Sequence, residues 1–235
     1  MGKGPVEMLE RIVLHIPHAS PVFPFGRSGW EEGIRREIGR WTDWYTDWLF
    51  ASASRLDPRI IPVSYPFSRF FCDVERLEDD PLEVVGQGIV YERFGNLKRS
   101  VSEAERVFAL RSYKEHHDRL RRAITGERTL LVDCHSFPPD LSDVEVCIGV
   151  NEDWSRPEGY IIDGTVRKFS SLGYKVGINT PYSNSMAPLC TSPYSSMMLE
   201  INKKTYLQAA GELDQEKGRK LRNTIEMILL SMLTE

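Results

Sequence analysis

The 235-residue sequence has few cysteines, no long apolar run and no excess of basic residues, and each absence narrows the class of protein. The scattered cysteines have no CxxC spacing, which predicts reduced and mostly buried thiols at Cys72, Cys134, Cys147 and Cys190. The net charge of −4 disfavours a nucleic-acid partner, because such a protein normally presents a basic face. No segment has the length of a membrane span, and the first residues lack a secretion signal, so we expect a cytoplasmic protein with no membrane partner.

Strand-like and helix-like patterns alternate along the chain, which is typical of an α/β layered fold. No repeat or linker divides the sequence, so we expect a single domain over residues 1–235. Ser102 and Glu105 have the spacing of a capping box at the start of a helix. Strands are predicted at 12–16, 59–64, 129–132, 144–150, 174–178 and 195–202, helices at 34–48, 102–124, 159–172 and 221–232, and irregular chain at 69–97.

Two of the predicted strands are each followed closely by a histidine. The apolar run Ile12–Ile16 leads to His18, and the run Leu130–Val132 leads to His135. Ligands of open α/β sheets bind beyond the carboxyl ends of the strands, so we expect the two imidazoles to share a pocket. A catalytic zinc usually has three protein ligands and one open position, which makes both histidines candidate metal ligands. The alternative is that each is only a hydrogen-bonded loop or core residue.

Two carboxylates stand in or next to apolar strands. Asp133 lies two residues before His135, so on an extended chain both side chains point to the same side, and Asp133 is placed to orient the imidazole. Glu200 lies inside the strand-like segment MMLEIN. Burying an unpaired carboxylate is costly, so Glu200 is expected to be protonated, paired or near a metal, where it would act as general base. The alternative is an edge strand with Glu200 in solvent.

The segment Ser68–Leu77 is unusually rich in charge for an irregular stretch. It places Arg69 and Arg76 around Asp73 and Glu75. Arginine binds carboxylates through two parallel hydrogen bonds, so one of these arginines is a candidate clamp for an acidic substrate. The alternative is a cluster of surface ion pairs, which would contribute little stability.

The remaining polar features are weaker candidates for a site. His117 lies on the apolar face of its helix, so a core histidine is the simpler interpretation, and His116 beside it is expected to face solvent. His15 alternates away from His18 and receives no role. The segment Pro181–Ser185 is rich in turn-forming residues and is either a loop that covers the substrate or a plain crossover.

Seven segments stand out together: IPHAS (16–20), TDWYTDWLF (42–50), SRFFCDVER (68–76), YKEHHDRL (113–120), LLVDCHSFP (130–138), NTPYSNS (179–185) and MMLEINKKTYL (197–207). In their order and approximate spacing they resemble one known family, the N-formylglutamate amidohydrolases. The resemblance extends from about residue 11 to about residue 207 and implies a three-layer αβα sandwich with a mixed, mostly parallel central sheet, similar to zinc carboxypeptidases. It also implies hydrolysis of an N-acyl amide of an acidic amino acid, with N-formylglutamate as the type substrate.

The resemblance also implies roles for individual residues. Zn²⁺ is the implied cofactor, although imidazole and carboxylate ligands also suit manganese, iron or nickel. The implied catalytic residues are Glu200, as general acid and base, and Arg69. The implied metal ligands are His18, His135 and a carboxylate, for which we expect Asp73 first, then Glu75 and Asp43. The implied substrate-binding residues are Arg76, His117, Tyr182 and Asn184. Asp133 and Ser136 are expected to contact and orient the metal ligands without binding the metal themselves.

The sequence departs from the family pattern at several of these positions. Glu75 replaces the family's asparagine before the last arginine, and its carboxylate would either repel an acidic substrate or add a metal ligand. Ser20 replaces the glycine of the family's PHSG motif. Residues 183–185 replace glycines that usually follow the NxPY motif, which alters the covering loop. Pro21 lies three residues after His18, so the HxxE ligand pair of carboxypeptidases is absent.

The sequence therefore predicts a metal-dependent amidohydrolase that acts on a small-molecule N-acyl amino acid. Two alternatives stay open. One is a hydrolase of a different N-acyl amino acid or a small peptide on the same scaffold. The other is a non-catalytic relative that binds a metal or ligand. The oligomeric state does not follow from the sequence.

Overall fold

Alternating apolar residues in the strands place one sheet between two layers of helices. The structure is a computed structural model that describes residues 8–27, 29–126, 128–209 and 211–234. The strands are β1 (Arg11–Ile16), β2 (Pro24–Arg27), β3 (Ile60–Ser64), β4 (Arg93–Phe94), β5 (Leu97–Lys98), β6 (Thr129–Phe137), β7 (Val146–Val150), β8 (Val176–Ile178) and β9 (Ser195–Asn202). The helices are α1 (Ile34–Trp41), α2 (Thr46–Phe50), α3 (Glu103–Ala123), α4 (Gly159–Ser171) and α5 (Gln215–Met232). Short 3-10 helices occupy Ala51–Arg55, Pro81–Val85 and Lys203–Thr205.

The main sheet has six strands in the order β3-β1-β6-β9-β7-β8. Strand β9 is antiparallel to β7, and the other neighbouring pairs are parallel. The mixed, mostly parallel α/β fold expected from the sequence is therefore confirmed. Strands β6 and β9 lie in the middle, and β6 is buried along its whole length. Polar side chains on these two strands are thus held on rigid, water-poor elements.

The two faces of the sheet pack against different helices. Ile12 and Leu14 of β1 and Val132 of β6 point into the larger core, which also contains residues of α2, α4 and α5. Val13 and Leu131 are adjacent in sequence to these residues and therefore point to the opposite face of the sheet. There they pack in a second core with the C-terminal turns of α3. His15, Asp133 and His135 continue this second set of alternating positions, so they lie on the α3 side of the sheet.

The helix predicted over 34–48 is two helices with a break between them. Helix α1 ends at Trp41, and α2 starts at Thr46 after Tyr45 adopts a left-handed φ of 63°. The apolar spacing continues across the break, so periodicity alone could not locate it. The break turns Asp43 inward, where it is buried, and its backbone N–H donates to His18 O at 2.9 Å.

Strand β6 is longer than the predicted strand 129–132. It continues to Phe137, so Asp133 and His135 stand on the strand itself and not beyond its end. The prediction failed because polar residues normally end a buried strand, whereas here each polar side chain finds a partner in the interior.

The capping box expected at Ser102 is confirmed. The Glu105 backbone N–H donates to Ser102 Oγ at 3.3 Å, and the Ser102 backbone N–H donates to Glu105 Oε2 at 3.0 Å. The cap begins the 21-residue helix α3, which carries His116 and His117 beneath the sheet. Among the helices of the described ranges, none is both long and apolar enough to cross a membrane.

Gly149 and Gly164 provide a matched test of this packing. A Cβ on Gly149 in β7 would lie 2.1 Å from Asn184 O and 3.0 Å from Met198 Cβ, whereas the nearest atom to a Cβ on Gly164 in α4 is 3.9 Å away. We expect Gly149→Ala to lower the free energy of unfolding by about 1–3 kcal/mol, because the chain around Asn184 must move. Gly164→Ala should raise it by about 0.5–1 kcal/mol, as in any open helix position. Equal effects in urea unfolding would contradict this packing.

Candidate active site

The register between β6 and β9 brings two predicted site residues side by side. His135 lies directly opposite Glu200 in the parallel pair, and Asp133 lies opposite Met198. Cross-strand neighbours share a face of the sheet, so the imidazole and the carboxylate both point to the α3 side. Two residues that are 65 positions apart in the sequence are thereby neighbours on adjacent strands.

His18 joins them from the end of β1. Its ring lies beside that of His135, with 5.1 Å between the ring centroids. The two histidines predicted to share a pocket are therefore neighbours in the structure. The strand β1 ends before Pro17, so the side chain of His18 no longer follows the alternation of β1.

Glu75 completes a group of three side chains that could hold a metal ion. Glu75 Oε2 lies 3.7 Å from His18 Nε2, and Glu75 Oε1 lies 3.7 Å from His135 Nε2. Within the described part of the chain, His18, Glu75 and His135 each offer one ligand atom, and these atoms lie within 4.8 Å of one another. The sequence predicts Asp73 before Glu75 as the third ligand, whereas the structure groups Glu75 with the two histidines.

Asp73 lies next to this group, but its oxygens have other partners. Its Oδ1 is 2.7 Å from His18 Nε2, and its Oδ2 accepts hydrogen bonds from Tyr91 Oη at 2.7 Å and Arg69 Nη2 at 3.0 Å. Burial alone would raise the pKa of Asp73, but Arg69 and His18 outweigh it and hold that pKa well below its usual value. Asp73 is therefore an ionised anchor for the neighbouring cations, and Glu75 has the freer carboxylate.

His135 is surrounded by carboxylates. Its Nδ1 donates to Asp43 Oδ2 at 3.1 Å, and its Nε2 lies 3.0 Å from Asp133 Oδ1 without making a hydrogen bond. Burial would lower the pKa of His135, but Asp133, Glu75 and Asp43 raise it well above its usual value. Ser136 donates a long hydrogen bond of 3.5 Å to the same Asp43 carboxylate. The surroundings of His135 thus favour the protonated, positively charged form of its imidazole.

The two histidines and Glu200 each have one buried polar atom without a hydrogen-bond partner. They are His18 Nδ1, His135 Nε2 and Glu200 Oε2. Burial, with the charge of Arg69, lowers the pKa of His18, so its imidazole is neutral and keeps a free lone pair. Unpaired buried nitrogen and oxygen atoms are rare in proteins, and their convergence is typical of a site that binds a ligand.

Glu200 is a buried acid with an unusual proton affinity. Its side chain is 8% exposed, and burial raises its pKa to about 8, against the partly opposing effect of His135. A carboxyl group that titrates near neutral pH is able both to accept and to donate a proton there. Of the two interpretations of Glu200, the buried one is correct, since β9 is a central strand.

A cavity of about 320 Å³ opens over Glu75, His135 and Glu200. Aromatic side chains form part of its wall, among them Trp41, Phe94 and Phe137. The cavity therefore combines charged chemistry with apolar surface. The residues of the sequence-based site that line it are Asp43, Arg69, Glu75, Arg76, His135, Ser136, Tyr182 and Glu200, whereas His18, Asp73 and Asp133 are not part of its wall.

His117 and Asn184, which were expected to bind substrate, do not line this cavity. His117 is buried, and its Nε2 donates to Val74 O at 2.9 Å, so it supports the backbone just before Glu75. Asn184 has a left-handed φ of 70° and lines an adjacent hollow of about 430 Å³ that shares Glu75 and Arg76 with the cavity. The helix pattern showed that His117 is buried, but not which neighbour it meets.

The expectation that His116 faces solvent was wrong, and so was the expectation that His15 points away from the site. His116 is not in solvent: both rings are fully buried and 3.0 Å apart between their Nε2 atoms. His15 Nδ1 also lies 2.8 Å from Asp133 Oδ1. The available signal was the alternation of β1 and β6, which puts His15 on the same face as Asp133 once the two strands are paired.

A model of the N-formylglutamate amidohydrolase family matches residues 10–207 of the sequence. The chain belongs to this family. Family membership confirms the resemblance seen in the seven sequence segments. It supports amide hydrolysis as the class of reaction, and all residues of the His18–Glu75–His135 group and Glu200 fall within the matched range.

Solved structures agree with the family at the level of the fold. An N-formylglutamate amidohydrolase from Ralstonia eutropha JMP134 has a TM-score of 0.79 at 19% identity, over 97% of this chain and 94% of that one. A gene product from Agrobacterium tumefaciens has a TM-score of 0.64 at 18% identity, over 96% of this chain and 92% of that one. The sequence has no match among curated proteins.

His117 predicts how the stability of this family member depends on pH. Burial, with the effect of His15, lowers the pKa of His117 to about 4 from 6.5. The unfolded chain therefore binds this proton first, and the free energy of unfolding falls as the pH drops from about 6.5 to about 4, by at most about 1.4 kcal/mol per pH unit. His117→Gln keeps a donor for Val74 O but does not titrate. Urea unfolding at pH 7.0 and 4.5 should show a smaller loss in the variant, and equal losses would contradict this assignment.

Proposed function

We propose that this protein is a metal-dependent amidohydrolase that cleaves the N-acyl amide of an acidic amino acid, with N-formylglutamate as the first candidate substrate. The observation that carries the proposal is the group formed by His18, Glu75 and His135. Glu200 on β9 lies opposite His135 on β6, and both of these side chains line the cavity. Family membership supports the same reaction. The substrate is a small molecule, and the cytoplasmic location stays a prediction from the sequence.

The donor set fits a divalent cation. Two imidazoles and one carboxylate are the ligands of many catalytic zinc sites. The unpaired His18 Nδ1 offers a buried lone pair, and His135 Nε2 would offer another once a bound cation displaced its proton. Zn²⁺ is the first candidate, while manganese, iron and nickel suit the same ligands. A cation held by these residues would polarise the amide carbonyl and make water more acidic.

Glu200 is proposed as the proton carrier of the reaction. It lines the cavity beside His135, and its pKa of about 8 lies close to neutral pH. In this role Glu200 takes a proton from the attacking water and later gives it to the leaving amine. The carboxyl group therefore ends each turnover in its starting state.

Arg69 and Arg76 are proposed to hold the carboxylate of the substrate and to stabilise the oxyanion. Both line the cavity, and the Nε atom of each has no hydrogen-bond partner. Asp73 lies 3.0 Å from Arg69 and 3.7 Å from Arg76, so it fixes both guanidinium groups without using all their donors. Preorganised donors of this kind lower the barrier most when they are held before the substrate arrives.

The aromatic wall of the cavity favours a second candidate substrate. Trp41 and Phe94 contact each other edge to face, as do Phe137 and Tyr182, and all four line the cavity. This surface suits an N-acyl amino acid with an apolar side chain or a longer acyl group. Glu75 is consistent with either substrate, because as a metal ligand it would be neutralised and would no longer repel a carboxylate.

The direct test measures metal content and hydrolysis together. Protein purified without chelators should hold about one divalent cation per chain and should release formate from N-formyl-L-glutamate, and chelator treatment should abolish the turnover. A parallel panel of N-acetyl, N-succinyl and N-formyl amino acids, including N-formyl-L-phenylalanine, distinguishes the two substrate classes. Bound metal without turnover of any panel member would indicate a non-catalytic relative, and protein that holds no metal would refute the proposal.

Glu200→Gln and Glu75→Gln separate the proton carrier from the metal ligand. We expect Glu200→Gln to reduce kcat at least about 100-fold with normal metal content, because the amide cannot accept the proton. Glu75→Gln should lose metal affinity, because it replaces a charged ligand with a neutral one. Steady-state kinetics and elemental analysis of both variants give the comparison. Unchanged turnover in Glu200→Gln would exclude it as the proton carrier.

A further inference from the structure

A chain of hydrogen bonds leads from Asp133, which lies beside the metal-ligand group, through two buried histidines to the exposed surface of helix α3. His15 Nδ1 lies 2.8 Å from Asp133 Oδ1, and His15 Nε2 lies 3.0 Å from His116 Nε2. Arg119 Nη2 lies 3.3 Å from His116 Nδ1 and is exposed to solvent. At its other end, Asp133 Oδ1 lies 3.0 Å from His135 Nε2. The proposed function uses neither His15 nor His116.

Arg119 sets the direction of every hydrogen bond in this chain. Arginine is always a donor, so His116 Nδ1 must be an acceptor and the neutral ring carries its proton on Nε2. That proton is donated to His15 Nε2, which leaves the His15 proton on Nδ1. His15 Nδ1 therefore donates to Asp133, and the arrangement has a single consistent set of tautomers.

The surroundings keep His116 neutral and hold both rings in place. Burial, with the charge of His15, lowers the pKa of His116 far below its usual value. The Tyr65 ring packs edge-on against His116, with 5.3 Å between centroids. Asp133 is held on its second oxygen as well, because the Met186 backbone N–H donates to Oδ2 at 3.1 Å. The carboxylate of Asp133 thus has both oxygens fixed by donors.

We propose that His15, supported by His116, is a positioning residue for the metal centre. It holds the Asp133 side chain in a fixed position beside His135 Nε2, and in this way it increases the affinity of the His18–Glu75–His135 group for a divalent cation. The inference rests on the proposed function. Partners behind metal ligands commonly affect metal affinity by about 10–100-fold.

His15→Leu and His15→Asn test the donor directly. Leucine removes both hydrogen bonds, whereas the asparagine Nδ2 takes the place of the histidine Nδ1 and can still donate to Asp133. We expect His15→Leu to lose about 10–100-fold in Zn²⁺ affinity, measured by competition with a chromophoric chelator, and His15→Asn to recover most of it. The visible absorption spectrum of the Co²⁺-substituted protein should change in the leucine variant, since it reports the ligand geometry.

Tyr65→Phe is the matched control for loss of a buried polar group. It removes the hydroxyl that bonds Ser112 and keeps the ring against His116, but it leaves the chain intact. We expect it to keep the Zn²⁺ affinity and the Co²⁺ spectrum of the wild type. If His15→Leu does not fold, His116→Met tests the same point, because it removes the donor to His15 and leaves His15 in place. A weaker loss of affinity in that variant would support the proposal.

Three results would overturn it. Unchanged Zn²⁺ affinity and Co²⁺ spectrum in His15→Leu, or in His116→Met where the first variant does not fold, would leave the chain a purely structural feature and the proposed function intact. An equal loss in His15→Asn and His15→Leu would refute the donor role of Nδ1. Wild-type protein that binds no divalent cation would overturn this inference together with the proposed function.

Discussion

The pairing of β6 with β9 is the constraint on which the candidate site depends. In this register His135 lies opposite Glu200, and both face α3, while Leu199 and Ile201 of β9 point into the larger core. Because side chains alternate along a strand, a shift of one residue would turn Glu200 into that apolar core and expose the two aliphatic residues. The hydrophobic effect on one face of the sheet therefore maintains the relative position of acid and imidazole on the other face.

Around this pair the protein holds buried carboxylates in two different states. Asp43, Asp73 and Asp133 keep lowered pKa values despite burial, because histidines or arginines contact each of them. Glu200 has no such partner for its Oε2, and burial raises its pKa to about 8. Neighbouring acids with pKa values driven apart are the usual arrangement where one group carries charge and another transfers a proton. This division of roles follows from contacts, not from residue type.

Much of the fold could be predicted from local patterns. The strands of the main sheet and the capping box at Ser102 follow from apolar alternation and cap chemistry, and the structure has both. The break between α1 and α2 did not follow, because the left-handed Tyr45 is stabilised by surrounding contacts and leaves the apolar spacing unbroken. His116 was expected in solvent because it stands beside His117, which lies on the apolar face of the helix. It is buried instead, with its Nε2 3.0 Å from that of His15 on β1.

The candidate site could also be predicted only in part. Residue types and their places at strand ends were enough to single out His18, His135, Glu200 and the charged segment 68–77, because buried polar groups in apolar runs need a reason. Which carboxylate completes the group, and which residues stand behind it, could not be read from the chain: Glu75, Asp43 and His15 come from three separate elements. By itself, the sequence determined the family, the layered α/β fold and the kinds of chemical group available. Only the tertiary structure decided which of those groups meet, since contacts between distant residues depend on strand register and loop path, and neither is encoded locally.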